Sequence, residues 1–280
     1  MGRVDGKVAF ITGVARGQGR SHAVRLAEEG ADIIGVDALR ELDTMPYPMG
    51  TQEDLDETAR LIEKTGRRAI LSQADVRDHD ALQNAVSAGV AELGRLDIVC
   101  ANAGISPPGG PVWTIPLQQW RDVIDVNLTG VFHTLAVTVP VIRDAGRGGS
   151  IIVTASGAGL RSAQNLGDYN ASKHGVVGLA QTLANEVARE GIRVNVIAPG
   201  TVDTPMVTAN DVQFKVFRPD LADPKLDDCI DIFKMIMPMG QPWVDPVDIS
   251  NAVVFLASDE ARYMTGIVLP VDQGSNNRVF

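Results

Sequence analysis

The 280-residue chain is 45% apolar and 21% charged. That is ordinary globular composition and argues against disorder, which needs low hydrophobicity and high net charge. A formal net charge of −10 disfavours non-specific nucleic-acid binding, which depends on Lys and Arg neutralising phosphates. No run of about 18 apolar residues suggests a membrane span. The opening segment MGRVDGKVAF leaves no room for a secretory leader before the first strand. Cys100 and Cys229 are too few for a disulfide framework or a zinc cluster, so a reducing, cytoplasmic setting is expected.

Short apolar runs alternate with helical patterns along the chain. Lys7–Thr12, Ala31–Val36, Ala69–Ala74, Leu96–Ala101, Ser150–Ala155, Ile192–Ala198 and Gly266–Val271 read as strands. Between them, helical spacing covers Gln18–Glu29, Glu53–Lys64 and segments near 78–93, 117–144, 168–190 and 246–258. Seven near-continuous apolar strands separated by helices predict one doubly wound parallel sheet covered on both faces, an α/β Rossmann fold spanning 1–280 as a single domain. Two stretches break the rhythm. Residues 38–51, ALRELDTMPYPMGT, carry two prolines and a glycine and read as an ordered loop. Residues 202–245 are rich in Met, Phe and Pro, and read either as a substrate lid or as the core of a short helical subdomain.

The turn Thr12-Gly13-Val14-Ala15-Arg16-Gly17-Gln18-Gly19 lies between the first strand and the first helix. Its glycines allow a tight turn and close ligand approach, and the helix N-terminus offers unpaired N–H groups to a pyrophosphate. Asp37 ends the second strand, where a carboxylate can accept hydrogen bonds from an adenosine ribose and repel the 2′-phosphate of NADP. Arg16 points the other way, because a guanidinium could pair with that phosphate. Asp37 weighs more, since Ala38 and Leu39 follow it; NAD is the expected cofactor.

Tyr169 and Lys173 stand four apart at the start of a helical segment, on one face. An ammonium beside a phenol favours phenolate, so Tyr169 could act as acid or base near neutral pH. Ser156 lies 13 residues earlier, at a strand end, where it could hold a substrate oxygen or simply cap a turn.

Together these residues resemble the short-chain dehydrogenase/reductase family over about residues 5–274. The motifs follow in family order: the glycine turn, Asp75-Val76, Ala101-Asn102-Ala103-Gly104, Asn127, Ser156, Tyr169, Lys173, then Pro199-Gly200 with Val202 and Thr204. The resemblance implies that Tyr169 exchanges a proton with the substrate oxygen, which Ser156 hydrogen-bonds. It implies that Lys173 lowers the Tyr169 pKa and binds the nicotinamide ribose, and that Asn127 holds a water of a proton relay. Gly13, Ala15, Arg16, Gly17, Gln18, Gly19 and Asp37 would line the cofactor's adenosine and phosphates. Asp75 and Val76 would meet adenine, and Asn102, Ala103 and Gly104 would line the cofactor. Pro199, Gly200, Val202 and Thr204 would lie by the nicotinamide. Ala101 departs from the family's common Asn. The 38–51 segment and the run Ala171–Gly178 resemble mycobacterial carveol-dehydrogenase-like enzymes, the mycofactocin-linked subgroup, whose loop is thought to cover the adenine side and keep NAD from exchanging.

The implied activity is NAD-dependent interconversion of a hydrophobic secondary alcohol, terpenoid or alicyclic, with its ketone. The competing reading is an NAD-binding redox sensor without turnover. A metal-dependent alcohol dehydrogenase lacks its ligands: the four histidines, His22, His79, His133 and His174, are scattered. By resemblance the chain forms a homotetramer through the 117–144 and 168–190 helices. An external redox acceptor is a further expected partner. His174 and Cys100 read as packing residues, and Trp113 and Trp120 as cover for the site or for a loop.

Overall fold

The computed structural model describes residues 2–277. Seven strands form one parallel sheet in the order β3-β2-β1-β4-β5-β6-β7. They are β1 (Val8–Thr12), β2 (Asp32–Asp37), β3 (Ala69–Gln73), β4 (Ile98–Ala101), β5 (Gly149–Thr154), β6 (Ile192–Pro199) and β7 (Val268–Val271). All seven sequence-predicted strands are present. The inner strands are buried residue by residue, as in Val8–Thr12, because helices cover both faces; this is why they read as apolar runs and not as alternations.

The helices are α1 (Gly17–Glu28), α2 (Gln52–Glu63), α3 (His79–Leu93), α4 (Leu117–Ile124), α5 (Gly130–Ala145), α6 (Gly167–Val187), α7 (Pro205–Thr208), α8 (Asp211–Phe217), α9 (Leu226–Ile236) and α10 (Pro246–Ala257). Their ends carry local signals. Thr51 and Asp54 form a reciprocal capping box on α2, and Asp245 caps α10 with Pro246 in its first turn. Asp78 caps α3, which stops at Gly94 in the left-handed conformation. α1 and α10 lie together on one face, where buried His22 Nδ1 meets Ser250 Oγ at 2.8 Å. Burial drives the His22 pKa down to about 3, so this imidazole stays neutral.

The expected helix 117–144 is interrupted. A π turn at Asp125–Thr129 separates α4 from α5, and Asn127 sits in it. Such single wide turns recur at functional sites because they re-aim one side chain. Taken together, Leu117–Ala145 is long and apolar enough to cross a membrane by composition, yet it packs against α3 and α6 and is half buried within the fold.

The 202–245 segment holds α7, α8 and α9 and builds its own small core. Phe214, Cys229 and Phe233 are buried, and the Phe233 ring meets Phe217 at 5.0 Å and Trp243 at 6.3 Å, both edge-on. Most of its aromatics therefore serve packing, while Met235 and Met239 are exposed. Trp113 is 86% exposed and Trp120 41% exposed, so neither lies under a loop.

Close packing between α3 and β2 depends on Gly89, where an added Cβ would stand 2.6 Å from the Ile34 side chain. Gly89→Ala is expected to destabilise the fold by about 1–3 kcal/mol, the usual range for overpacking. A lower urea midpoint at unchanged m-value would be the readout.

Candidate active site

The site forms where the chain reverses its winding. β1 and β4 are neighbours in the sheet, but their following segments leave toward opposite sides, which opens a crevice beyond their carboxyl ends. Thr12 closes the floor of that crevice. Its Oγ1 accepts the N–H groups of Asn102 and Ala103, both at 3.0 Å, and its carbonyl accepts from Asn102 Nδ2 at 3.0 Å. The β1 turn and the β4 loop are thus tied together.

A cleft of about 970 Å³, open to solvent, runs along this edge. Gly13, Arg16, Gly17, Gln18, Gly19, Asp37, Asp75, Val76, Asn102, Ala103, Gly104 and Thr204 all line it. Gly19 has no space for a side chain: a Cβ there would lie 1.8 Å from the Gly13 carbonyl oxygen. Gly13 and Gly17 adopt positive φ of 71° and 55°. Gln18 Oε1 is buried without a hydrogen-bond partner among the described residues. Ala15 stands just behind the cleft, and its N–H donates to Asp37 Oδ2 at 3.0 Å. Asp37 Oδ1 accepts from Leu39 N at 3.4 Å. Burial raises the Asp37 pKa, while these backbone donors and Arg16 work against that rise.

Asp75 is more constrained than an adenine contact alone would require. Arg77 binds its carboxylate at 2.6 Å and Arg40 approaches at 3.6 Å. Burial pushes its pKa up, but the Arg77 hydrogen bonds and the two cations bring it below the usual carboxylate value. Pro199, Gly200 and Val202 do not line the cleft. Gly200 lies against Asp272, and Val202 pairs with Val244 and is buried.

Ser156, Tyr169, Lys173 and Asn127 do not line this cleft themselves; Lys173 and Asn127 lie against Gly104, one of its wall residues. The Lys173 ammonium lies 5.6 Å from the Tyr169 ring centre and donates to the Thr154 carbonyl at 3.0 Å. Ser156 is near enough to Tyr169 to pull its pKa down; Ser156 Oγ accepts from Ala158 N at 3.1 Å, so it caps a turn. A Cβ at Gly104 would come within 3.3 Å of Lys173 Nζ and 3.4 Å of Asn127 Oδ1, which shows how closely the β4 loop, the π turn and α6 converge. Asn127 Oδ1 accepts from Ile105 N at 2.8 Å, and its Nδ2 donates to Ile105 O at 2.9 Å and Ser172 Oγ at 3.2 Å.

Burial lowers the Lys173 pKa to about 8. Burial also raises the Tyr169 pKa, with the Ser156 hydrogen bond acting the other way. The expected lowering of the tyrosine pKa is therefore not found; burial keeps its hydroxyl protonated.

Several residues at the site escaped the motifs. Tyr47, in the 38–51 insertion, is 4% exposed, and its hydroxyl accepts from Ser106 N at 2.9 Å. Thr44 Oγ1 donates to Asp122 Oδ2 at 2.7 Å. Arg40, Leu42, Met49 and Gly50 line the cleft with Tyr47. The prolines flanking Tyr47 signalled an ordered loop, but no spacing in the sequence points from Tyr47 to Ser106.

The family described as enoyl-(acyl carrier protein) reductase matches residues 13–276. A short-chain type dehydrogenase/reductase of Mycolicibacterium smegmatis is 52% identical over 98% of each chain. The (−)-trans-carveol dehydrogenase of Rhodococcus erythropolis is 50% identical over 98% of this chain and 99% of its own. The crystal structure of carveol dehydrogenase from Mycobacterium avium in complex with NAD superposes with a TM-score of 0.97 at 53% identity, covering 99% of this chain and 100% of that one. With a glycine turn, a reversed sheet order and a Ser-Tyr-Lys cluster at one crevice, the chain belongs to the short-chain dehydrogenase/reductase family.

Proposed function

We propose that this protein is an NAD-dependent alcohol dehydrogenase that interconverts a hydrophobic secondary alcohol, carveol-like or alicyclic, with its ketone. The observation that carries the reading is Tyr169, with Ser156 beside it and buried Lys173 5.6 Å from its ring, next to a cleft suited to a dinucleotide. The cleft fits NAD: Gly19 admits no Cβ, a carboxylate ends β2, and Gln18 Oε1 is unpartnered among the described residues. When bound, NAD supplies the hydride acceptor or donor.

The chain's own groups do the rest. Ser156 orients the substrate oxygen. Tyr169 gives that oxygen a proton in reduction and takes it in oxidation. Phenolate at Tyr169 is favoured by the positive charge of Lys173, which forms as its amine takes up a proton below about pH 8. Asn127 fixes Ile105 and Ser172 and so holds the β4 loop against the α6 turn; a water beside it would relay the proton. Pro199, Gly200 and Val202 shape the nicotinamide end from behind Thr204. Asp75 and Val76 flank adenine.

We assign 202–245 as the substrate lid, supported by Met206 in the cleft wall. We assign 38–51 as a strap across the adenosine, supported by its ties to Ser106 and Asp122. A strapped cofactor leaves only when the loop opens, so NAD exchanges slowly and an external acceptor reoxidises it in place. The expected homotetramer through α4–α5 and α6 is supported by exposed Leu117, Trp120 and Phe132. Free, buried Cys100 and Cys229 accord with a reducing cytoplasm.

Tyr169→Phe is expected to lower kcat by about 10²–10⁴-fold, the range of general acid–base catalysis, while NADH binding stays within a few-fold. Near-normal turnover would remove the assignment, and absent single-turnover NAD reduction in the wild type would favour a sensor. Replacing residues 42–48 by Gly-Gly is expected to speed NAD release by at least about tenfold, equivalent to 1.4 kcal/mol of lost contact; stopped-flow release of labelled NAD measures it. Lys173 has a second, thermodynamic signature. Its folded pKa of about 8 lies below the ordinary lysine value of 10.5, so the unfolded state binds more protons between those values and this group's contribution to stability rises with pH there. Urea midpoints at pH 8 and pH 10 should therefore increase more in the wild type than in Lys173→Met.

A further inference from the structure

The adenosine end of the cleft holds more positive charge than a preference for NAD needs. Arg16 and Arg40 line it together with Asp37. A guanidinium is a planar fork matched to phosphate oxygens, so two arginines here would suit a 2′-phosphate. Both are engaged elsewhere. Arg40 leans to Asp75, which Arg77 also binds. Arg16 donates Nη2 to the carbonyl of Pro48.

Pro48 lies in the 38–51 insertion, and the part of the loop that presents it is fixed. Met45 and Tyr47 are 8% and 4% exposed. The Tyr47 hydroxyl receives Ser106 N–H, and Thr44 binds Asp122. Gly50 closes in from the other side: a Cβ there would stand 3.3 Å from both Asp37 Oδ1 and the Ala15 methyl carbon. The Arg16 guanidinium is therefore drawn to the carbonyl of exposed Pro48, next to buried Tyr47 of the cleft wall.

We propose that Arg16 is a latent 2′-phosphate ligand, and that the 38–51 loop, by engaging it on the Pro48 carbonyl, acts beside Asp37 as a second determinant of NAD over NADP. This rests on the dehydrogenase reading above. Asp37 excludes the phosphate by repulsion and by offering acceptors where a phosphate needs donors. The loop excludes it by withholding the cation that would recognise it. Removing Asp37 alone takes away the repulsion and supplies no donor. Removing both restraints frees a charge-assisted, two-pronged contact.

The test uses the full chain and reads NADH and NADPH affinities by protein-to-nicotinamide energy transfer. Glu41 Oε1 accepts from Met49 N at 3.0 Å, so the loop's ends are adjacent and a Gly-Gly link can replace residues 42–48. Asp37→Ala alone should raise NADPH affinity by less than about tenfold, since the repulsion goes but no donor is gained. Asp37→Ala with the shortened loop should bind NADPH at least about tenfold tighter than Asp37→Ala, as a gained charge-assisted contact predicts. Arg16→Ala in that background should erase the gain. Full NADPH affinity from Asp37→Ala alone, or a gain that survives Arg16→Ala, would overturn the proposal. Point variants on the intact loop give a second arm if the shortened chain does not fold. Asp37→Ala and Asp37→Ala/Arg16→Ala should bind NADPH equally. Weaker binding by the double variant would mean Arg16 already reaches the phosphate, which sinks the idea. Wild-type NADH binding tests the parent reading separately: its absence would remove the dinucleotide assignment, whereas the NADPH differences bear on Arg16.

Discussion

The tie between Thr12 and the β4 loop is the constraint on which the site depends. One hydroxyl accepts two backbone N–H groups from Asn102 and Ala103, and the Asn102 amide returns a bond to the Thr12 carbonyl. These groups lie at the edge between β1 and β4, where the sheet order reverses and backbone is left without a strand neighbour to pair with. Satisfying them internally fixes the distance between the glycine turn and the loop that leads to Ile105. Everything farther along hangs from that loop. Asn127 grips Ile105, Ser172 bridges Asn127 to α6, and α6 carries Tyr169 and Lys173 on one face.

Lys173 illustrates the tension between stability and function. It is 3% exposed, and its ammonium donates to the Thr154 carbonyl. Burying an ammonium without a carboxylate partner is unfavourable, and the depressed pKa expresses that. A Met of similar length would pack there at less free-energy cost. The lysine's presence makes sense as a charge reserved for a group that becomes negative during the reaction. In the proposed mechanism that group is Tyr169: burial raises its pKa, and the Lys173 ammonium lies 5.6 Å from its ring centre, where it would favour the phenolate.

The insertion works by a different physics. Its anchors are charged and polar groups linked in a chain, Arg40 to Asp75, Asp75 to Arg77, Arg77 to Asp122 and Asp122 to Thr44. Apolar Met45 and Tyr47 are buried beneath. Partly exposed ion pairs contribute little individually, so apolar burial supplies most of the loop's order while the charges fix its register over the cleft. A loop held this way would open without disturbing the sheet, as the proposed strap requires.

The sequence by itself determined the strand count, the parallel sheet and the order of motifs along the chain. A buried parallel strand has to be apolar on both faces, so Val8–Thr12 and Ile192–Pro199 declare themselves. The Tyr169–Lys173 pairing was legible because four residues make about one helical turn, and Asp37 because it closes a strand. Contacts across the chain were not legible, since no local period encodes them. Tyr47 reaching Ser106, Arg16 held by Pro48, and Asn127 re-aimed by a π turn inside an apparently continuous helix all arose from packing. The same holds for the 202–245 segment, whose Met and Phe content fits either a lid or a core until Phe214, Phe233 and Trp243 are seen to pack on one another. Tertiary structure alone decided these, because which polar group finds which partner depends on where the backbone of distant elements comes to rest.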